Sequence, residues 1–194
     1  MNLGALAAFA FVSSITPGPN NLMLWSSGMN FGLRRTAPHL VGVFSGFLSL
    51  LLVTAVGVGS LFQRWPWLNT ILRVVGSAYL LYLAWRIARA GQASEQESAK
   101  PISFAEAVAF QYVNPKAWVM GITAAGTFLP DNSSVVLNAL ILVAVFGVVN
   151  LPCVATWVVA GTGIGKLLTN DRSRRIVNGI LAALLVGTVY LINT

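Results

Sequence analysis

Six long apolar stretches, separated by short polar connections, fill almost the whole sequence and dictate what such a chain becomes. They cover roughly residues 3–28, 37–62, 66–87, 104–129, 135–161 and 176–192. Each is near or above the ~20 residues a helix needs to cross the hydrocarbon core of a bilayer. Of the 194 residues 56% are hydrophobic and only 9% charged, against about 25% charged in an ordinary soluble domain. So few charges cannot coat a water-soluble globule, and a disordered chain is excluded by the same composition. The expectation is an all-α integral membrane bundle of six transmembrane helices, one domain over residues 1–194, with the lipid bilayer as its solvent. The longest connection, about residues 88–103, is polar and reads as a flexible cytoplasmic loop. No Lys or Arg precedes the first stretch, so it reads as a retained span rather than a signal peptide.

The basic residues set the orientation. Arg34 and Arg35 follow the first stretch, Arg86, Arg89 and Lys100 the third, and Lys166, Arg172, Arg174 and Arg175 the fifth, while Arg64 alone lies in the alternate connections. Cytoplasmic loops carry the excess of Lys and Arg. The connections after stretches 1, 3 and 5 are therefore expected in the cytoplasm and both termini on the outer side. The net charge of +7 is then a signal of topology, and no nucleic-acid partner is expected. Cys153 is the one cysteine and His39 the one histidine, so neither an internal disulfide nor a multi-ligand metal site is expected, and no cofactor.

Two bases fall inside stretches. Arg73 sits about two turns from the outer end, where a long side chain snorkels to the headgroups. Lys116 lies about 12 residues into the fourth stretch, near the bilayer midplane on a rise of ~1.5 Å per residue. An ammonium there costs at least ~2.5 kcal/mol on insertion scales, so it needs a partner or a wet cavity.

Two stretches cannot be regular helices throughout. In the first, Thr16-Pro17-Gly18-Pro19-Asn20-Asn21 removes the amides that would bond the carbonyls of Ser13 and Ile15. In the fourth, Asn114-Pro115-Lys116 frees the carbonyl of Gln111 and restarts a helix at Pro115. Freed backbone groups at membrane depth are tolerated only against protein or water. The restarted helix would aim its positive end at a cavity beside Lys116, a place for a carboxylate. The carbonyls of the first break would suit an ammonium. Stretches 1 and 4 each lead a group of three with opposite starting sides. This predicts two inverted three-helix repeats, about residues 1–90 and 104–194, and matched broken helices point to the central site of a transporter.

Asn150, before Pro152 in the fifth stretch, either lines that cavity or bonds a neighbouring helix. Gln111, Tyr79 and Tyr82 are weaker candidates, read as packing or interface residues. Gly42 and Gly46 fit close helix packing. The candidate substrate-binding residues are Thr16, Pro17, Gly18, Pro19, Asn20, Asn21, Asn114, Pro115, Lys116 and Asn150, with no metal ligands and no catalytic residues. The spans offer no His–carboxylate pair, so an enzyme is not expected.

At Thr16-Pro17-Gly18-Pro19-Asn20 and Asn114-Pro115-Lys116, together with its length and its basic loop after the first stretch, the chain resembles the LysE/RhtB family of amino-acid exporters. The wider text, including Ala99-Lys100-Pro101-Ile102-Ser103-Phe104 and Phe110-Gln111-Tyr112-Val113-Asn114, looks closest to the branch that exports cysteine and O-acetylserine. The resemblance implies a multi-pass protein of a bacterial inner membrane that exports amino acids or close derivatives, usually linked to the proton gradient. Matched by motif, Pro17, Gly18, Pro19 and Asn20 correspond to the first family signature and Asn114, Pro115 and Lys116 to the second. The chain departs from the family at Ala117-Trp118-Val119-Met120, where paired phenylalanines are often found, and at Pro38, where many relatives have a small residue.

The mechanism expected is alternating access around a midplane site, the substrate carboxylate approaching Lys116 and its ammonium meeting carbonyls near Ser13–Thr16. Small neutral zwitterions such as cysteine, O-acetylserine, threonine or homoserine fit best, because nothing at the breaks offers a negative side chain. No Asp or Glu lies deep in a stretch, so proton antiport would fall to Lys116. A channel or passive facilitator for small polar solutes is the alternative, and a homodimer remains open.

Overall fold

Apolar residues on both faces of a helix leave no water-facing side, so such helices pack together and still present hydrocarbon outward. The computed structural model describes residues 1–90, 100–130, 134–168 and 170–193. Among them every regular element is helical: α1 (Leu3–Ile15), α2 (Pro19–Ala55), a 3₁₀ turn (Val58–Ser60), α3 (Leu61–Arg64), α4 (Trp67–Arg89), α5 (Phe104–Val113), α6 (Pro115–Phe128), α7 (Val135–Leu167) and α8 (Asp171–Asn193). Four of these, α2, α4, α7 and α8, are long and apolar enough to cross a membrane. The outer surface is apolar, with Val148 77% and Leu191 73% exposed, while Gln111, His39 and Asn178 are fully buried. That inverts the arrangement of a water-soluble protein. The chain is a helical, multi-pass membrane protein.

Helix ends follow local chemistry. Asn2 Oδ1 accepts from Ala5 N at 3.1 Å to cap α1. Ser103 and Glu106 cap α5 reciprocally: Ser103 N donates to Glu106 Oε2 and Glu106 N to Ser103 Oγ. Arg86 and Arg89 lie in the last turn of α4, where cations complement the helix dipole. Arg86 reaches Glu106 at 2.7 Å, tying α4 to α5.

Several boundaries differ from the sequence-based expectation. The connection between the first two stretches shrinks to a single residue. Gly32 adopts φ 73°, ψ 171° inside α2, a conformation that strains any residue with a Cβ. It divides α2 into arms 19–31 and 33–55, and Thr36 Oγ1 donates back to Gly32 O at 2.8 Å. The arms fold against each other, with Ser27 Oγ 3.0 Å from His39 Nδ1. Arg34, Arg35 and Pro38 are thus helical. The second stretch stops at Ala55 rather than 62, because Gly57 turns the chain at φ 96°. Helix α7 continues to Leu167, beyond 161, and α8 begins at Asp171, before 176. Polar and basic residues end a hydropathy run but not a helix. Helix α4 extends to Arg89, so the expected 88–103 loop starts later. Its part at 91–99 lies outside the described residues, as does Asp131.

Two apolar cores stack along the bundle. One joins Leu22, Met23, Val43, Leu83, Phe110 and Val158; the other joins Leu6, Phe47, Leu51, Trp118, Leu142 and Phe146. Polar residues fall at the level between them. Asn150 lies between Phe146 and Val154 on α7, Asn114 between Phe110 and Ala117, and Ser14 and Asn21 on either side of the α1–α2 gap. Gly42 and Gly46 face α5, where added Cβ atoms would press on Phe104 O, Ala107 Cβ and Val108 Cα. This close approach brings α5 against the second arm of α2.

Candidate functional site

The first break is three residues long, Thr16 to Gly18, and its carbonyls are bonded largely by side chains. Thr16 Oγ1 donates to Ser13 O at 3.1 Å. Asn21 Nδ2 donates to both Ser14 O (2.9 Å) and Thr16 O (2.8 Å). From α7, Trp157 Nε1 reaches Ile15 O at 3.2 Å, and Asn150 Nδ2 reaches Ser14 Oγ at 2.9 Å. The two carbonyls that Pro17 and Pro19 strand, those of Ser13 and Ile15, are both satisfied, as burial in an apolar medium demands.

The second break is a single residue. Asn114 ends α5 and caps α6, its Oδ1 accepting from Lys116 N at 3.1 Å, with Pro115 in the first position of the new helix. Asn114 N donates to Gln111 O at 3.3 Å, the carbonyl that Pro115 leaves free. Trp118 Nε1 takes Tyr112 O at 2.9 Å. The open helix end anticipated for a carboxylate is thus closed by Asn114.

Lys116 joins the two breaks. Its Nζ donates to Thr16 O (3.1 Å), Thr16 Oγ1 (3.0 Å) and Pro17 O (3.3 Å). The ammonium therefore lies on one of the carbonyls anticipated for the ammonium of a substrate, that of Thr16, and on two further oxygens of the same break. Between the breaks is a hollow of about 30 Å³, lined among others by Gly18, Asn20, Asn21, Asn114, Lys116 and Asn150. It has room for ~1–2 water molecules but not for an amino acid. Asn150 Oδ1 is buried without a hydrogen-bond partner among the described residues.

Of the ten candidates, six line this hollow. Thr16 and Pro115 instead line, with Lys116 and Arg73, an adjoining cleft of about 570 Å³. Pro17 acts through its carbonyl and Pro19 opens α2 at its first position. Sequence reasoning counted Ser13 and Ser14 only for their carbonyls and missed Trp157; Gln111, read as a packing or interface residue, bonds a neighbouring helix. Gln111 is fully buried and exchanges two bonds with Asn20, at 2.8 and 3.1 Å. The adjacent serines in an apolar run were the one available signal; nothing in the sequence linked Trp157 to Ile15.

Interrupted helices that hold an ammonium and a set of amides in the middle of a membrane bundle are the construction of a transporter. The chain belongs to the LysE type translocator family, which it matches over residues 11–192. It is a transporter, then, and not an enzyme. It is 35% identical over 187 residues to the cysteine/O-acetylserine efflux protein of Escherichia coli (strain K12), covering 95% of this chain and 93% of that one. The protein of the same description from Klebsiella pneumoniae subsp. pneumoniae is 34% identical over 187 residues, with the same coverage. That of Salmonella typhimurium is 35% identical over 189 residues, covering 96% and 94%. No solved structure matches.

Proposed function

We propose that this protein exports small neutral amino acids and their derivatives, cysteine and O-acetylserine foremost, from the cytoplasm across a bacterial inner membrane. The observation that carries the reading is Lys116, which bridges both broken helices at the polar level of a bundle related throughout its length to efflux proteins. The substrate's carboxylate pairs with Lys116 once that side chain leaves Thr16.

The reading takes six spans. Helix α1 has 13 residues and α5 and α6 have 10 and 14, each short of the ~20 needed to cross alone. Joined across their breaks, α1 with the first arm of α2 and α5 with α6 reach that length. The halves 1–90 and 104–194 then form inverted repeats of one transporter domain, with both termini outside and the basic ends of α4, α7 and α8 in the cytoplasm. In this orientation the cavity of about 600 Å³ around Arg86 and Glu106 is the inner vestibule. The Asn20–Gln111 pair closes it off from the central hollow, and the cleft beside Arg73 is the outer one. Alternating access rocks the halves about this closed centre. The family resemblance adds coupling to the proton gradient to this reading.

The test is counterflow in proteoliposomes. Labelled cysteine or O-acetylserine should accumulate transiently against unlabelled substrate inside, and an imposed proton gradient should drive net flux. Linear, non-saturable flux without counterflow would mark a channel instead. Absence of any amino-acid flux would end the export reading.

A further inference from the structure

We propose that the oxygens of the first break form a binding site for a primary ammonium group, which Lys116 fills in this structure and the substrate's own ammonium takes over during transport. The inference rests on the transport reading above and adds what opens and closes that site.

A lysine ammonium has three N–H donors and no acceptor. Here all three meet oxygens at 3.0–3.3 Å, two from Thr16 and one from Pro17. The two Thr16 oxygens are also oriented by groups other than Lys116. The Thr16 hydroxyl gives its proton to Ser13 O, which turns its lone pairs outward, and Asn21 grips Thr16 O from the other side. They also stand at the C-terminal end of α1, where the helix dipole favours a cation. No feature of the site requires that the ammonium be tethered to α6. Any R–NH₃⁺ that reaches it would make the same three bonds.

Size and charge make the exchange obligatory. The hollow of about 30 Å³ is too small for an amino acid while Lys116 lies across it. Both Thr16 and Lys116 also face the cleft of about 570 Å³, so the lysine has room to swing away. A zwitterion that displaces it supplies an ammonium to the oxygens and a carboxylate to the freed Lys116, leaving the net charge of the site unchanged. A diamino acid would add one positive charge, with no carboxylate among the described lining residues to offset it. The same exchange that opens the site therefore selects neutral amino acids. It also means that the carrier with Lys116 in place is locked, since this contact bridges the two broken helices.

The experiment removes the tether and supplies the ammonium. Purified Lys116→Ala protein in nanodiscs is melted in a series of n-propylammonium concentrations, with sodium propionate as the control. The ammonium should raise the midpoint of the variant saturably, by ~5 °C at saturation, and leave the wild type unmoved; propionate should do neither. No shift in the variant, or an equal shift in the wild type, would overturn the proposal. If the alanine variant does not accumulate, it and Lys116→Ser are expressed in cells grown with propylammonium, which should restore them. Failure of both to accumulate there would overturn it equally. Wild-type counterflow is measured in parallel, so that loss of the transport reading shows as absent flux whatever the melting result.

Discussion

Three residues separate α1 from α2, whereas one separates α5 from α6, and the two gaps are kept open by different kinds of partner. The second is self-contained, since Asn114 caps the helix it starts and returns its own amide to Gln111. The first depends on other helices, with Trp157 of α7 on Ile15, Asn150 of α7 on Ser14 and Lys116 of α6 on Thr16 and Pro17. A gap fixed by local capping keeps its shape when its surroundings move. A gap fixed by tertiary partners changes when one of them leaves. The second break is therefore the rigid mount for Lys116, and the first is the part that responds to it.

The largest effect should come from removing the internal support of the first break. Asn21→Leu strips the bonds to Ser14 O and Thr16 O and leaves the buried Ser14 carbonyl without that donor, worth about 1–3 kcal/mol. The variant should lose ~2 kcal/mol, read as a lower melting midpoint in nanodiscs. A near-normal midpoint would mean that Asn21 does not hold the first break open. Asn114→Ala should cost ~1 kcal/mol, the usual loss of an N-cap, and Asn114→Asp should restore it, since the carboxylate caps equally well. If Asn114→Ala were as damaging as Asn21→Leu, the contrast between the breaks would collapse. The smallest effect on stability belongs to Gly18→Ala. Gly18 has φ −179°, open to any residue, but an added Cβ would sit 3.0 Å from Lys116 Cδ and Nζ. Its melting should shift by no more than ~0.5 kcal/mol while flux falls several-fold, because the methyl crowds the ammonium. Unchanged flux would detach Lys116 from the first break.

The same contrast explains what the sequence made legible. Both breaks were readable because proline acts locally, removing particular amides at known positions. The polar level was readable too, from Asn21, Asn114 and Asn150. The hairpin at Gly32 was not, because Arg34 and Arg35 look like a loop by hydropathy although charges at a membrane edge do not end a helix. Nor was the destination of Lys116. The sequence said that a midplane ammonium needs partners and that the first break has spare oxygens, yet joining them required α6 to be packed against α1. The Asn20–Gln111 pair, 91 residues apart, is likewise a product of packing alone.

The central claim is that Lys116, bridging the two breaks, is the moving contact of the transport site. Amino-acid counterflow by proteoliposomes carrying Lys116→Met tests it most directly, with insertion checked by equal protein content and proteolytic pattern. The methionine is unbranched and one atom shorter, and it removes the charge. Counterflow should fall at least ~100-fold, as when ~3 kcal/mol of interaction with the moving state is lost. Counterflow within twofold of the wild type would contradict the account.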